Sequence, residues 1–329
     1  MKRHGVTIAG SGSYVPERIL TNADLEKMVD TTDEWIRTRT GIEQRHIAAP
    51  DEPCSAIAAE AAKRALTAAG LSAEELDLII VATFTGDNIF PNTGCYLQKR
   101  LGAVNAGCFS IEVACSGFIY GLEVGANMVR SGGYRKVLVV GAEKISSVVD
   151  WTDRNTCVLF GDGAGAVILQ QAPAGHDFLL AAKLGADGRY TDLLHTAAGG
   201  SLRPLTPEMV AQHENCIKME GREIFKLAVN AMCDASRAAL EQAGVAADQV
   251  RWVIPHQANQ RIISSVGKYL GVPEEKVYVN INRYGNTSAA SIPLALDELV
   301  RSGQVERGDL LLLTAFGGGL TWGAAVVKW

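Results

Sequence analysis

The sequence predicts an α/β protein made of two similar halves, and three observations carry that prediction. Residues 61–80, AAKRALTAAGLSAEELDLII, align without a gap on residues 235–254, ASRAALEQAGVAADQVRWVI, at an offset of 174. The tetrapeptide Val-Arg-Ser-Gly stands at 129–132 and again at 300–303, an offset of 171. Around these marks, short apolar runs alternate with helical periodicity, as in sheets covered by helices. Two matched segments in one order at nearly one offset are hard to obtain by chance, so we read a duplication. The join is placed near Pro173-Ala174-Gly175, giving halves of residues 1–173 and 174–329. Strands separated by helices predict mostly parallel sheets.

Each element follows from local signals. In both copies of the longer repeat an amphipathic helix ends at Gly70 or Gly244, an acidic loop follows, and an apolar strand comes next. Phe109, Ile111 and Val113 alternate like a strand, with Cys115 just beyond its end. Ser116-Gly117 then opens a helix carrying Phe118, Leu122 and Val129 on one face, stopped at Ser131-Gly132-Gly133. Each Val-Arg-Ser-Gly closes a helix before a buried strand, Lys136 to Val140 and Asp309 to Leu313. Val277, Val279 and Ile281 read as a further alternating strand, leading to a helix opened at Tyr284-Gly285-Asn286-Thr287-Ser288-Ala289.

Composition narrows the function classes. The chain has 329 residues, about two domains' worth by length. Hydrophobic residues make up 47% and charged residues 20%, which excludes disorder. A formal net charge of −5 makes a nucleic-acid coat unexpected. The start, Met1-Lys2-Arg3-His4-Gly5, is interrupted at once by Gly10-Ser11-Gly12, so no signal peptide is read. The longest apolar stretches, such as Leu310 to Phe316, fall short of the ~18 residues of a membrane span. Seven cysteines without a CxxC pair, and six histidines never at zinc-ligand spacing, predict reduced thiols, no metal site and a cytoplasmic location.

Open α/β sheets carry chemistry at the carboxyl ends of their strands. Cys115 stands at such an end, before a helix whose N-terminus favours an anion, and its pKa is therefore expected to fall. Most cysteines in such settings are only small buried hydrophobes. Shifting Cys115 by 171 lands on Asn286, which predicts the two placed symmetrically about one cleft. By itself Asn286 reads as a helix cap or turn residue. His256, in Pro255-His256-Gln257-Ala258-Asn259, follows the strand Trp252-Val253-Ile254. Phe316-Gly317-Gly318-Gly319-Leu320 follows another, and consecutive glycines suit either a tight turn or a backbone N–H close to a ligand. Gly161-Asp162-Gly163-Ala164-Gly165 lacks the Lys of a phosphate loop, and Asp162-Gly163 reads as a turn.

Together, EVACSGF around Cys115, IPHQAN around His256, YGNTSAAS around Asn286 and the terminal AFGGGLTWG resemble the β-ketoacyl-acyl-carrier-protein synthase III family. The likeness also takes in GSGSYVPERILTN, TTDEWIRTRTGI and DRNTCVLFGDGAGA, nearly end to end. It implies the thiolase fold, two duplicated α/β halves in an α-β-α-β-α stack, and a homodimer. It implies that an acyl-CoA primer, acetyl-CoA by default, acylates Cys115 and then condenses with malonyl-acyl-carrier protein. His256 and Asn286 would then face the enolate, with the backbone N–H groups of Cys115 and Gly318 as the oxyanion hole. The resemblance further assigns Trp35, Arg39, Arg154 and Asn259 to coenzyme A, and Phe90 to the partner's acyl pocket. Lys226, Arg261 and Lys268 match the positions that dock the carrier protein. No tightly bound cofactor is implied.

Rival readings are weaker on particular residues. Papain-type proteases share the chain order Cys, His, Asn, but EVACSGF is not their signature and the repeat would go unexplained. A thiolase needs a cysteine near the last glycine loop, and none follows Cys233. Hydroxymethylglutaryl-CoA synthases carry a Glu where Phe84 stands, elongating synthases a second His where Asn286 stands, and chalcone synthases Gly-Pro-Gly where Gly317-Gly318-Gly319 stands. A type III-like enzyme of secondary metabolism, using another acyl-CoA or acceptor, is the alternative function. A scaffold without catalysis is the other, and it predicts that Cys115 is acylated no faster than the remaining thiols.

Overall fold

In the computed structural model, which describes residues 4–329, two main sheets stack with helices outside and between them. The first three residues of the opening read for a signal lie outside the described part. The main strands, in chain order, are β1 (Gly5–Tyr14), β2 (Leu78–Ala82), β3 (Gly107–Ile111), β4 (Lys136–Glu143) and β5 (Gly163–Ala172) in the first half. The second half supplies β6 (Leu179–Ala186), β7 (Trp252–Pro255), β8 (Leu310–Gly317) and β9 (Thr321–Lys328). The sheet orders are β1-β5-β4-β2-β3 and β7-β8-β9-β6. Written from the other edge, the second reads β6-β9-β8-β7, the first pattern with its last strand reduced to one parallel bridge between Val253 and Val277.

That reduction corrects one expectation. Val277, Val279 and Ile281 do not form a strand; Ile281 instead begins a helical turn, Ile281–Tyr284. The side chain of Gln257 explains why, since its Oε1 accepts from the N–H groups of Asn280 at 2.9 Å and Ile281 at 3.1 Å, replacing a neighbouring strand. A second correction concerns direction. The pairs β2·β3, β2·β4 and β7·β8 are parallel, but β1·β5, β4·β5, β8·β9 and β9·β6 are antiparallel, so the sheets are mixed. The Gly317–Leu320 region makes a hairpin between β8 and β9, and hairpins impose antiparallel pairing.

Strand alternation builds the layers. Ile80, Val139, Val167 and Leu169 point inward from the first sheet, and Leu311, Leu313 and Ala325 from the second. Between them lie the helices Gly117–Arg130 and Ser291–Arg301, buried through Phe118, Leu122, Ile292 and Leu296. On the outer face of the first sheet, Ile79, Val81, Leu138 and Val140 meet Ala58, Ala61, Ala62 and Ala65 of the helix Cys54–Ala69. On the outer face of the second, Val253, Leu312 and Val326 meet Ala235, Ala239 and Leu240 of the helix Gly221–Ala243. Small residues on these outer helices let them lie flat against β-branched strands. Gly70 and Gly244, both left-handed, end the two outer helices as predicted.

Element boundaries match between halves at an offset of 174. The strands Lys136–Glu143 and Leu310–Gly317 correspond end for end, as do the starts of the central helices, Gly117 and Ser291. The 171 offset of Val-Arg-Ser-Gly has a local cause: the second central helix has 11 residues against 14. That shortening lies downstream of Cys115, so the partner of Cys115 in the second half is Ala289, not Asn286. The position equivalent to Asn286 is Glu112.

Candidate active site

One cavity of about 640 Å³ is lined by Cys115, His256, Asn286, Gly317, Gly318 and Gly319. It therefore brings together all four elements that the sequence singled out. Such a volume suits a small organic ligand with a long arm.

Cys115 sits in a tight turn, Ala114–Ser116, immediately before the central helix. Ala114 is held at φ 43°, a left-handed conformation that costs a non-glycine residue about 1–2 kcal/mol. Gly317 closes over this turn, and a Cβ there would stand 2.7 Å from the Cys115 nitrogen. Only glycine lets the hairpin come this near. The thiol pKa does not fall as predicted. Burial pushes it up to about 12, and the nearby Glu143 charge adds to the rise, outweighing the polar influence of Ser288 and of its own backbone N–H. A helix N-terminus lowers a thiol pKa most where solvent also reaches it; Cys115 is only 8% exposed.

His256 follows β7 directly, its N–H donating to the Thr314 carbonyl at 2.7 Å. Complete burial holds the imidazole down to about 3, so it is neutral at physiological pH. Its Nδ1 has no protein partner. A neutral ring has one N–H to donate and no charge to be desolvated. The adjacent Gln257 is saturated: its N–H donates to Ser291 Oγ at 2.7 Å and its amide to the carbonyls of Pro255 and Tyr278.

Asn286 is clamped by its backbone, donating to the Leu159 carbonyl at 2.8 Å and accepting from Gly161 N–H at 3.1 Å. Its Oδ1 accepts from Ser288 N–H at 2.9 Å, which orients the amide. With Oδ1 so committed, the Nδ2 donors are left for the cavity. The turn role is thus compatible with a place on the cavity wall. Asp162, by contrast, is not a turn residue; it is buried and accepts from Ala48 and Ser146 N–H groups at 2.8 and 2.9 Å.

At the cavity's margin stand Trp35, Arg39 and Asn259. The Arg154 and Arg39 guanidinium carbons lie 5.0 and 5.4 Å from the Trp35 ring centroid. Asn259 caps the helix Gln260–Leu270 through Oδ1 and donates to the Arg39 carbonyl at 3.1 Å. Lys226, Arg261 and Lys268 are exposed on the helices Gly221–Ala243 and Gln260–Leu270, although Arg261 also donates to the Thr38 carbonyl. Phe90 is 86% exposed and does not line this chain's cavity.

Two residues beside the site carried no role in the sequence. Glu143, at the end of β4, is wholly buried and accepts from Ser288 Oγ at 3.2 Å. Ser288 repeats the left-handed backbone of Ala114, at φ 49°. Applying the 174 offset to Gly317 would have pointed to Glu143, and to Ala114 would have pointed to Ser288.

A duplicated α/β fold with a buried thiol, a neutral imidazole and an oriented amide on one cavity defines a condensing enzyme of the thiolase class. Family models for 3-oxoacyl-[acyl-carrier-protein] synthase III match residues 109–188, and for its C-terminal part residues 240–329. The β-ketoacyl-[acyl-carrier-protein] synthase III of Caldanaerobacter subterraneus is 53% identical over 322 residues, covering 98% of this chain and 97% of that protein. The crystal structure of the Aquifex aeolicus synthase III matches with a TM-score of 0.91 at 50% identity, covering 99% of this chain and 100% of that one. The priming β-ketosynthase of the R1128 polyketide pathway matches at 39% identity and a TM-score of 0.93, covering 99% and 97%. This chain belongs to the 3-oxoacyl-[acyl-carrier-protein] synthase III family and is an acyltransferase that initiates fatty-acid synthesis by decarboxylating condensation.

Proposed function

We propose that the reaction runs through acyl-Cys115, with acetyl-CoA as the default primer and malonyl-acyl-carrier protein as the extender. The observation that carries this reading is the gathering of Cys115, His256, Asn286 and the Gly317–Gly319 hairpin on one cavity. The Cys115 thiolate attacks the thioester carbonyl, its carbon–sulfur bond to coenzyme A breaks, and the leaving thiolate is protonated. The N–H groups of Cys115 and Gly318 hold the tetrahedral oxyanion, splitting a difficult exchange into two easier steps. Loss of CO₂ from the malonyl group leaves an enolate, to whose oxygen His256 and Asn286 donate. Its carbon attacks the acyl carbonyl, the bond to Cys115 breaks, and the thiolate returns. Neutrality of His256 favours this donor role over that of a cationic acid.

Trp35 and Arg154 would stack on the adenine, Arg39 reach the phosphates and Asn259 lie beside the pantetheine arm. Lys226, Arg261 and Lys268 would steer the acidic carrier protein. The exposed pair Ile89 and Phe90 supports a homodimer in which Phe90 bounds the partner's acyl pocket. Division at Pro173 gives a first half bearing the nucleophile and a second bearing its donors. No helix among the described residues is long and apolar enough to cross a membrane. The seven free cysteines support a reducing, cytoplasmic setting.

The test is intact-protein mass after brief incubation with an equimolar acyl-CoA panel, followed by malonyl-carrier protein. One acyl adduct on wild type and none on Cys115→Ala, discharged as 3-ketoacyl-carrier protein, is the expected result. Folded wild type without an adduct would overturn the reading.

A further inference from the structure

We propose that Glu143 holds the Cys115 proton during turnover, receiving it through the Ser288 hydroxyl and returning it when condensation releases the thiolate. The proposal rests on the reading of Cys115 as the acylated nucleophile. It starts from an unusual placement, a carboxyl group at the very end of a buried strand with no cation paired to it among the described residues. Glu143 Oε2 accepts from Thr83 Oγ1 at 3.0 Å, Thr85 N–H at 3.1 Å and Thr85 Oγ1. Its Oε1 accepts from Phe84 N–H at 3.4 Å and Ser288 Oγ at 3.2 Å.

The neighbouring charges are all turned elsewhere. Lys144 Nζ donates to the carbonyls of Ala49 at 2.6 Å and Glu52 at 2.8 Å. Asp162 is engaged by Ala48 and Ser146, and Asp87 by Ser55. The Cys54 thiol lies against Thr83 and donates to the Ala142 carbonyl. Among the described residues, Ser288 is the side chain that joins Glu143 to the cavity: its hydroxyl donates to Glu143, and it lines the same cavity as Cys115. Ser288 is fixed for this by the Asn286 Oδ1 contact and by a left-handed backbone that a non-glycine residue adopts at a cost.

The physical advantage lies in charge conservation. Making a new thiolate in an apolar enclosure is costly, because burial penalises each charge created. Moving a charge already present avoids most of that penalty. The Cys115 S–H bond breaks as its proton passes to Ser288 Oγ, and the serine's own proton passes to Glu143 Oε1. One negative charge thus moves from oxygen to sulfur. Acylation then consumes the thiolate, and the departing coenzyme A thiolate takes a proton from solvent. Condensation frees the Cys115 thiolate, and Glu143 returns its proton along the same path. One solvent proton is consumed per cycle, as loss of CO₂ from a malonyl carboxylate requires. Burial pushes the Glu143 carboxyl up to about 8, which keeps it exchangeable near neutral pH.

The experiment measures the rate of acetyl-enzyme formation from acetyl-CoA between about pH 6 and 10, using rapid quenching and intact mass. Wild type, Glu143→Gln, Glu143→Asp and Ser288→Ala are compared, with circular dichroism as the check on folding. Wild type should rise with pH and level off above about 8, where Glu143 becomes ionised. Glu143→Gln and Ser288→Ala should be about 100-fold slower at neutral pH and climb tenfold per pH unit without levelling. Glu143→Asp should restore the levelling in part. Folded Glu143→Gln with the wild-type profile would overturn the proposal. Uniform slowing with an unchanged profile shape would also overturn it, leaving Glu143 a structural group. Wild type that never acylates on Cys115 would instead remove the underlying reading, and the relay with it.

Discussion

At Ala114–Ser116 and again at Ser288–Ala290 the chain makes the same turn, each opened by a left-handed residue and each feeding a central helix. The first copy holds Cys115; the second holds Ala289 in the same place. Each turn is met by a strand end from the opposite half. Gly317, ending β8, presses its backbone against the first turn, and Gly141 of β4 presses against Ala289 in the second, where Glu143 also reaches Ser288 through its side chain. The repeated architecture thus presents two equivalent turns that differ in the residues they carry. A glycine backbone covers both seats; the first holds the thiol, and the acid sits behind the second. The lesson is that the symmetry positions the groups while the differences between equivalent residues give them chemistry.

Three measurements would break or sharpen this comparison. The largest effect should come from moving the thiol. In Cys115→Ala/Ala289→Cys, no acyl adduct is expected from any acyl-CoA, because Asn286, His256 and the glycine hairpin are arranged about the first seat. Intact mass gives the answer, and an adduct on the new thiol would make the two seats interchangeable. Next is Gly317→Ala, whose Cβ would stand 2.7 Å from the Cys115 nitrogen and 3.2 Å from the Ala114 Cβ. Acylation should fall about 100-fold through displacement of the Cys115 and Gly318 N–H groups proposed as oxyanion donors. Quench-flow rates, with a melting curve to verify folding, would check it; unimpaired acylation would show that the close approach is dispensable.

The smallest expected effect is none at all. His256 is held down to about 3 by burial, so it takes up no proton between about pH 5 and 7. Discharge of preformed acyl-enzyme by malonyl-carrier protein should therefore be flat across that range. A loss of rate on acidification through about 6.5, the ordinary histidine value, would mean that the ring titrates and that its burial is relieved during turnover. The sign matters for stability too. Unfolded chains bind the proton below about 6.5 and the folded protein does not, so stability declines as pH falls below that value.

Much of this was legible in the sequence because the relevant signals are local. Gly70 and Gly244 end their helices since a residue without Cβ accepts the left-handed cap. Strand ends could be read from apolar runs, and three of them led to Cys115, His256 and the glycine hairpin. The misreadings arose where neighbours distant in sequence decide. Val277 to Ile281 has a strand's alternation, but Gln257 takes up the backbone donors of Asn280 and Ile281 that a strand would use. The parallel character of the sheets was overstated because pairing direction depends on which strands become neighbours. Asn286 was reached through an offset belonging to a helix end beyond it; the residue does line the cavity, but the symmetry argument for it fails.

By itself, then, the sequence determined the duplication, the order and ends of most elements, and the residue types at the strand ends. Those depend on periodicity, capping and composition within a few residues. Only the tertiary structure decided which of those ends share a cavity, and what their protons do there. The thiol that a helix N-terminus should acidify is instead pushed up by burial, and the carboxyl that acts on it lies 145 residues from Ser288 in the chain. Solvation and long-range contact are properties of the packed core, where desolvation outweighs local dipoles, and no stretch of sequence carries them.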